Sequence, residues 1–167
     1  ILCISLTIQA QTSTPLIGEL LAMNTVEQDT IILYDTGSNS YRRLTYGQGN
    51  HYVHDFSPDG CRILFTYSET QSWGHLYSMS LDGHDVREMA VYPDLPPERW
   101  GIWEADWAST GGRIAFTFRR IQSDGNLSHH TAFVTEDDPT IQFYSVTGNE
   151  FSPVWSPDGE WLAYLSY

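Results

Sequence analysis

The stretch Phe56-Ser57-Pro58-Asp59-Gly60 returns 99 residues later as Trp155-Ser156-Pro157-Asp158-Gly159. Such a phrase is first a piece of backbone geometry. Proline presets φ for the second position of a β-turn, Ser and Asp bond nearby backbone amides, and Gly takes the positive φ needed at the exit. The phrase therefore marks a hairpin corner, and a strand must follow it. Residues 61–68, CRILFTYS, alternate as a strand should, with Ile63, Phe65 and Tyr67 on one face and Leu64, Thr66 and Ser68 on the other. Residues 160–167, EWLAYLSY, do the same.

A third, weaker copy lies between the two. In WASTGGRIAFTFR, Trp107 stands 51 residues after Phe56 and 48 before Trp155. Its Gly111, Arg113, Ile114 and Phe116 align with Gly60, Arg62, Ile63 and Phe65. This copy has lost the proline and kept the glycine. Proline only narrows the unfolded ensemble, worth roughly 0.4–1 kcal/mol, whereas glycine supplies a conformation that other residues resist. Cys61 aligns with Gly112 and Glu160, so no role is assigned to it.

Each interval between phrases holds two more β-like segments. They are GHLYSMSLDG (74–83) and DVREMAVY (85–92) in the first, and HTAFVTEDD (130–138) and TIQFYSVTG (140–148) in the second. Each unit is then four short antiparallel strands. Sheets of this kind, apolar on both faces, need cover on both sides from copies of themselves, and their radial stacking is a β-propeller. The expected fold class is all-β, a propeller of four-stranded antiparallel blades of which about three and a half are present. Blade 1 would span 17–50, blade 2 51–100, blade 3 101–148, and a fourth would begin at 149–167.

FSPDGCRILF, WASTGGRIAF and WSPDGEWLAY resemble the WD40-like repeats of TolB-type β-propellers, where an aromatic, Ser-Pro-Asp-Gly and a short apolar strand open each blade. The resemblance covers roughly residues 17–167. It implies the propeller fold and, by the example of TolB, a partner-binding platform in the cell envelope. Propellers of this type also gate the catalytic domain of prolyl-oligopeptidase-like serine peptidases, and such a domain would lie beyond Tyr167. Fold alone does not decide between them.

The expected blade count falls short of a closed ring, which typically has about 4–8 blades, so a longer parent protein is expected. At the other end, the uncharged apolar run ending at Ala10 reads like the remnant of a secretory signal over residues 1–11, or else as one more strand. A signal would place the protein in the periplasm or outside the cell. Charge narrows the partners. The chain carries 21 acidic residues against 8 basic ones, all Arg, for a net −13. That surface repels phosphate backbones and anionic headgroups, so nucleic acid is not expected as a partner. No second apolar run approaches the roughly 20 residues of a membrane span.

Strand topology sorts the loops. One face carries only tight turns, and the other carries the long segments 68–74, 119–130 and the crossover 92–104. On that long-loop face, Trp73, Arg99, Trp100, Trp103, Arg119, His129 and His130 are the candidate binding residues for a protein, peptide or saccharide, since Trp and Arg are the residues most enriched at binding hot spots. Trp100 and Trp103 could equally plug the seam between blades. Asp55 and Asp106 match in position just before the strand-opening aromatic and are expected to hold the corner by accepting turn amides, rather than to form a carboxylate ring. His129 and His130, being adjacent, point to opposite sides of a strand, and His51 and His54 have no further ligand at metal spacing, so no metal or other cofactor is expected. Neither Gly-x-Ser-x-Gly nor a phosphate-binding loop occurs.

Overall fold

The structure, a computed structural model, describes residues 19–25, 30–45, 48–69, 74–144 and 149–167. The signal-like segment 1–11 and Trp73 lie outside the described residues. The described chain is strand, turn and one short 3-10 turn at Pro97–Arg99. Strands β1 (Leu20–Asn24), β2 (Ile31–Asp35) and β3 (Ser40–Arg43) form one antiparallel sheet. A second contains β4 (Asn50–Phe56), β5 (Arg62–Ser68), β6 (His75–Ser80) and β7 (Arg87–Glu88), and a third contains β8 (Trp100–Trp107), β9 (Arg113–Ile121), β10 (Leu127–Thr135) and β11 (Asp138–Phe143). The last pairs β12 (Glu150–Trp155) with β13 (Leu162–Ser166). Every sheet is a meander in chain order, and each sheet packs face to face on the next, as the blades of a propeller do.

The repeated phrase builds the same corner each time. Gly60, Gly111 and Gly159 sit at φ 68, 77 and 71, in the left-handed region where a Cβ is penalised. In the second sheet the Gly60 amide donates to the Ser57 carbonyl at 2.7 Å, the Cys61 amide to Asp59 Oδ1 at 3.0 Å, and the Arg62 amide to Ser57 Oγ at 2.9 Å. The last sheet repeats this set through Ser156, Asp158 and Gly159.

The core lies between sheets. Ile63 and Phe65 of β5 pack with Ile31 and Leu33 of β2, while Leu64, from the opposite face of β5, joins Trp100, Ile102, Trp107, Phe116 and Phe118. Ala115 and Trp155 fill the next seam. Burying each such side chain contributes about 1.5–3 kcal/mol, but apolar contact is non-directional and leaves the register of one blade on another unspecified.

Two kinds of polar rung cross the seams and supply that register, and the seam between the third and fourth sheets carries both. Asp55 Oδ2 accepts the Trp107 amide of the next blade at 2.9 Å, and Asp106 Oδ2 accepts the Trp155 amide of the blade after at 2.6 Å. The expectation that these carboxylates hold their own corner is thus corrected. Asp55 Oδ1 does take the adjacent Phe56 amide, but its other oxygen crosses the seam. The second rung runs from a side chain of one sheet to a β-bulge in the next blade's first strand. Asn24 Oδ1 accepts the Val53 amide at 2.9 Å, and Thr117 Oγ1 accepts the Ser152 amide at 3.0 Å. Bulges interrupt β4, β8 and β12 at matching places, with Glu104 at φ 46 and Ser152 at φ 52.

The segment 119–130, expected as a long loop, is instead mostly strand. β9 and β10 pair without interruption from Arg113↔Thr135 to Ile121↔Leu127, and only residues 122–126 turn. The crossover likewise becomes strand at Trp100.

Burial pushes the Asp55 carboxyl up to about 6, against the two amides that favour its charged form, with Asp106 adding to the rise. A raised native value means that its stabilising contribution is complete below the ordinary 3.8 and is lost as pH climbs through about 6. Asp55→Asn keeps an acceptor and removes the titration, so wild-type unfolding free energy should fall by on the order of 2–3 kcal/mol more than the variant's between pH 4 and 7. Asp55→Ala, which orphans the Trp107 amide, should cost about 1–3 kcal/mol at pH 7 and, because it also lacks the titrating group, on the order of 2–3 kcal/mol more at pH 4. Urea unfolding at the two pH values measures both.

Candidate functional site

Three of the expected binding residues converge on the blade-4 side of the third sheet. Arg119 lies in β9 and His129 opposite it in β10, which places both side chains on one face of the sheet. Trp103 comes from β8, where it pairs with Thr117. The Arg119 guanidinium stacks on the Trp103 ring at 3.6 Å from its centroid. His129 lies 6.3 Å from Trp103 on one side and 4.5 Å from Phe151 of β12 on the other. Trp103 keeps 47% of its surface exposed. The result is an aromatic platform with a guanidinium laid along it, open to solvent at the seam between the third and fourth sheets.

Burial, then the Arg119 charge, then His130 hold the His129 imidazole below its ordinary 6.5, against a hydrogen bond with Asn149. A neutral ring both donates and accepts, so the cluster offers an apolar face, a cation and a two-way polar group together.

The other candidates lie elsewhere. Trp100 is 4% exposed, stacked on Phe118 and met edge-on by His75 and Tyr92, so it is core and not a contact surface. Arg99 caps the end of the long hairpin, with Nη2 donating to the Ile121 and Gln122 carbonyls at 3.3 and 3.1 Å. His130 faces the opposite side of the sheet from His129 and is buried beside Phe143, its pKa lowered by burial and by Arg120 against the pull of Glu150. His54 bonds Thr66 Oγ1 at 3.1 Å, and burial pushes it down to about 4. His51 packs on Tyr67. Among the described residues no group of three or more His, Cys, Asp or Glu is placed to hold a metal ion.

No family model matches the chain. A probable dipeptidyl peptidase 4 of Aspergillus flavus is 26% identical over 130 residues, covering 71% of this chain and 16% of that protein. An uncharacterized protein of Agrobacterium fabrum is 26% identical over 147 residues, 80% of this chain and 45% of its own length. The chain thus spans less than half of either relative. Among solved structures, a putative TolB from Agrobacterium tumefaciens superposes with TM-score 0.68 at 19% identity, over 90% of this chain and 55% of that one. TolB from Acinetobacter baumannii gives TM-score 0.61 at 22% identity, over 87% and 34%. The fold is that of a TolB-like β-propeller.

Two features of the propeller escaped the sequence reading. Phe151 was unmarked, because its pairing with His129 joins residues of different blades. The cleft of about 440 Å³ on the tight-turn face, between Pro58, Asp59 and Arg62 of one blade and Trp107, Thr110 and Glu136 of the next, was not foreseen either. At the following seam the corresponding space is closed. Ser109 Oγ donates to the Pro157 carbonyl at 2.6 Å, Thr110 Oγ1 to the Asp158 carbonyl at 3.0 Å, and Arg113 to the Gly159 carbonyl while lying over Trp155. Pro58 and Asp59 stand where Ser109 and Thr110 would donate, and Arg62 turns back to Asp85 at 2.7 Å, so the earlier seam stays open.

The two tryptophans should separate cleanly in a stability measurement. Trp100→Ala should cost about 3–5 kcal/mol by opening a core cavity, and Trp103→Ala less than about 1 kcal/mol. Chemical denaturation of both variants provides the comparison.

Proposed function

We propose that the propeller is a non-catalytic recognition module that holds a protein, peptide or saccharide partner at the Trp103–Arg119–His129 cluster. One observation carries this function: a half-exposed tryptophan held flat by a stacked guanidinium, beside a neutral imidazole, on rigid strands. Strand-borne aromatics lose little side-chain entropy on binding, and an Arg–Trp stack meets both the ring faces of sugars and the mixed apolar and polar surface of a peptide. With the signal-like segment, the module would work in the periplasm or outside the cell. Among the described residues no helix is long and apolar enough to cross a membrane.

A second reading is favoured by the dipeptidyl peptidase 4 relative. There the propeller would stand beside a serine-peptidase domain in a longer chain and gate its access, the same surface meeting peptide substrates on their way in.

Peptide and glycan arrays probed with wild type, Trp103→Ala and Arg119→Ala test the first reading. Binding to one class, weakened about tenfold or more in both variants with unchanged melting, supports it. Variants that bind like wild type overturn it. Labelling of the intact protein by a fluorophosphonate would favour the peptidase reading.

A further inference from the structure

A cleft of about 400 Å³ opens on the other face of the third sheet, lined by Tyr92, Asp94, Leu95, Arg99, Arg120 and the tip of the β9–β10 hairpin. Two of the chain's 8 basic residues line it against one carboxylate, Asp94. Neither arginine has a carboxylate within ion-pairing reach among the described residues. Arg99 spends Nη2 on two carbonyls, and among the described residues Arg120 donates to the Tyr92 hydroxyl, through Nη1 at 3.4 Å. Arg120 Nε is buried with no partner. Isolated guanidinium groups at a half-buried site raise the local potential and stay costly until an anion arrives.

The same sheet face holds two more orphaned groups. Ser128 lies directly opposite Arg120, and His130, two residues on, lies opposite Phe118. Both residues are 4% exposed, and Ser128 Oγ and both ring nitrogens of His130 lack hydrogen-bond partners. Buried polar atoms in native folds are nearly always satisfied, so the uncompensated Arg120 guanidinium marks the cleft as a place for a polar ligand, with Ser128 and His130 lying behind it on the same face and outside its lining.

We infer that this cleft between the 92–99 crossover and the β9–β10 hairpin binds the carboxylate of a peptide, received by Arg99 and Arg120. A guanidinium edge offers two parallel donors that match the two oxygens of a planar carboxylate. A phosphate dianion brings twice the charge to a protein already at −13, with Asp94 at the rim. The cleft has room for about one or two residues beside the carboxylate. The site stands apart from the Trp103 cluster, since Arg119 and Arg120 point to opposite faces of the blade, and it holds whether or not that cluster meets a partner.

Isothermal titration of the intact protein with acetyl-Ala-Ala, its C-terminal amide and inorganic phosphate tests the inference. The free acid should bind with a Kd on the order of millimolar, and the amide about tenfold or more weaker. Arg99→Gln and Arg120→Lys should each weaken the acid about tenfold without moving the melting transition, while Trp103→Ala binds it as wild type does. If Arg120→Lys fails to fold, Arg99→Gln, at a half-buried position whose carbonyl partners lie at the solvent-facing hairpin tip, decides alone. Equal binding of acid and amide, no binding of either, or stronger binding of phosphate than of the acid overturns the assignment.

Discussion

A carboxylate that reaches across a blade seam to the amide of the next blade's opening aromatic sets the geometry on which the rest of this propeller depends. Asp55 does this for Trp107 and Asp106 for Trp155. The amide in question sits at the end of a first strand, just before the corner, where the ladder has run out of partners. Leaving it unpaired in a seam would cost about 1–3 kcal/mol, and the carboxylate removes that cost while fixing how far one sheet slides over the other. Val154 stands at the third matching position, so this rung is not present in every blade. Asn24 and Thr117 add the second rung at bulges in the following blade. Apolar contact holds the sheets together; these rungs decide where.

Variation in the seams then becomes a means of making sites. Where Ser109, Thr110 and Arg113 all donate to the carbonyls of the next corner, the seam closes on the tight-turn face. With Pro58 and Asp59 in the first two places and Arg62 held by Asp85, a cleft remains. On the long-loop face the same logic acts through the long hairpin. Because β9 and β10 stay paired out to residues 121 and 127, Arg119 and Arg120 and the two adjacent histidines are sorted by strand alternation onto opposite faces of the blade. One face gains an aromatic platform, and the other a cationic cleft.

Local chemistry was legible from the residues and inter-blade chemistry was not. The Ser-Pro-Asp-Gly phrase announces its own corner because all of its bonds are made within six residues, and the alternation of CRILFTYS announces a strand buried on both faces. The expected loop at 119–130 failed for a physical reason. Arg, Ser and His are polar enough to read as loop, yet the ladder continues to the rim of the blade, with Ser128 and His130 buried in it. Trp100 and Trp103 could not be told apart in sequence, since three residues in a bulged strand separate a core position from an exposed one. The crossing of the Asp55 carboxylate joins residues 52 positions apart, beyond the reach of any local pattern.

The pH titration of the Asp55 carboxyl, followed by carbon NMR together with the Trp107 amide proton, tests the central claim most directly. If the carboxylate spans the seam from a buried position, it should titrate near 6, the Trp107 amide shift should follow the same curve, and that amide should exchange slowly with solvent. An Asp55 that titrates at the ordinary 3.8, beside a Trp107 amide that exchanges freely and ignores it, would contradict the account.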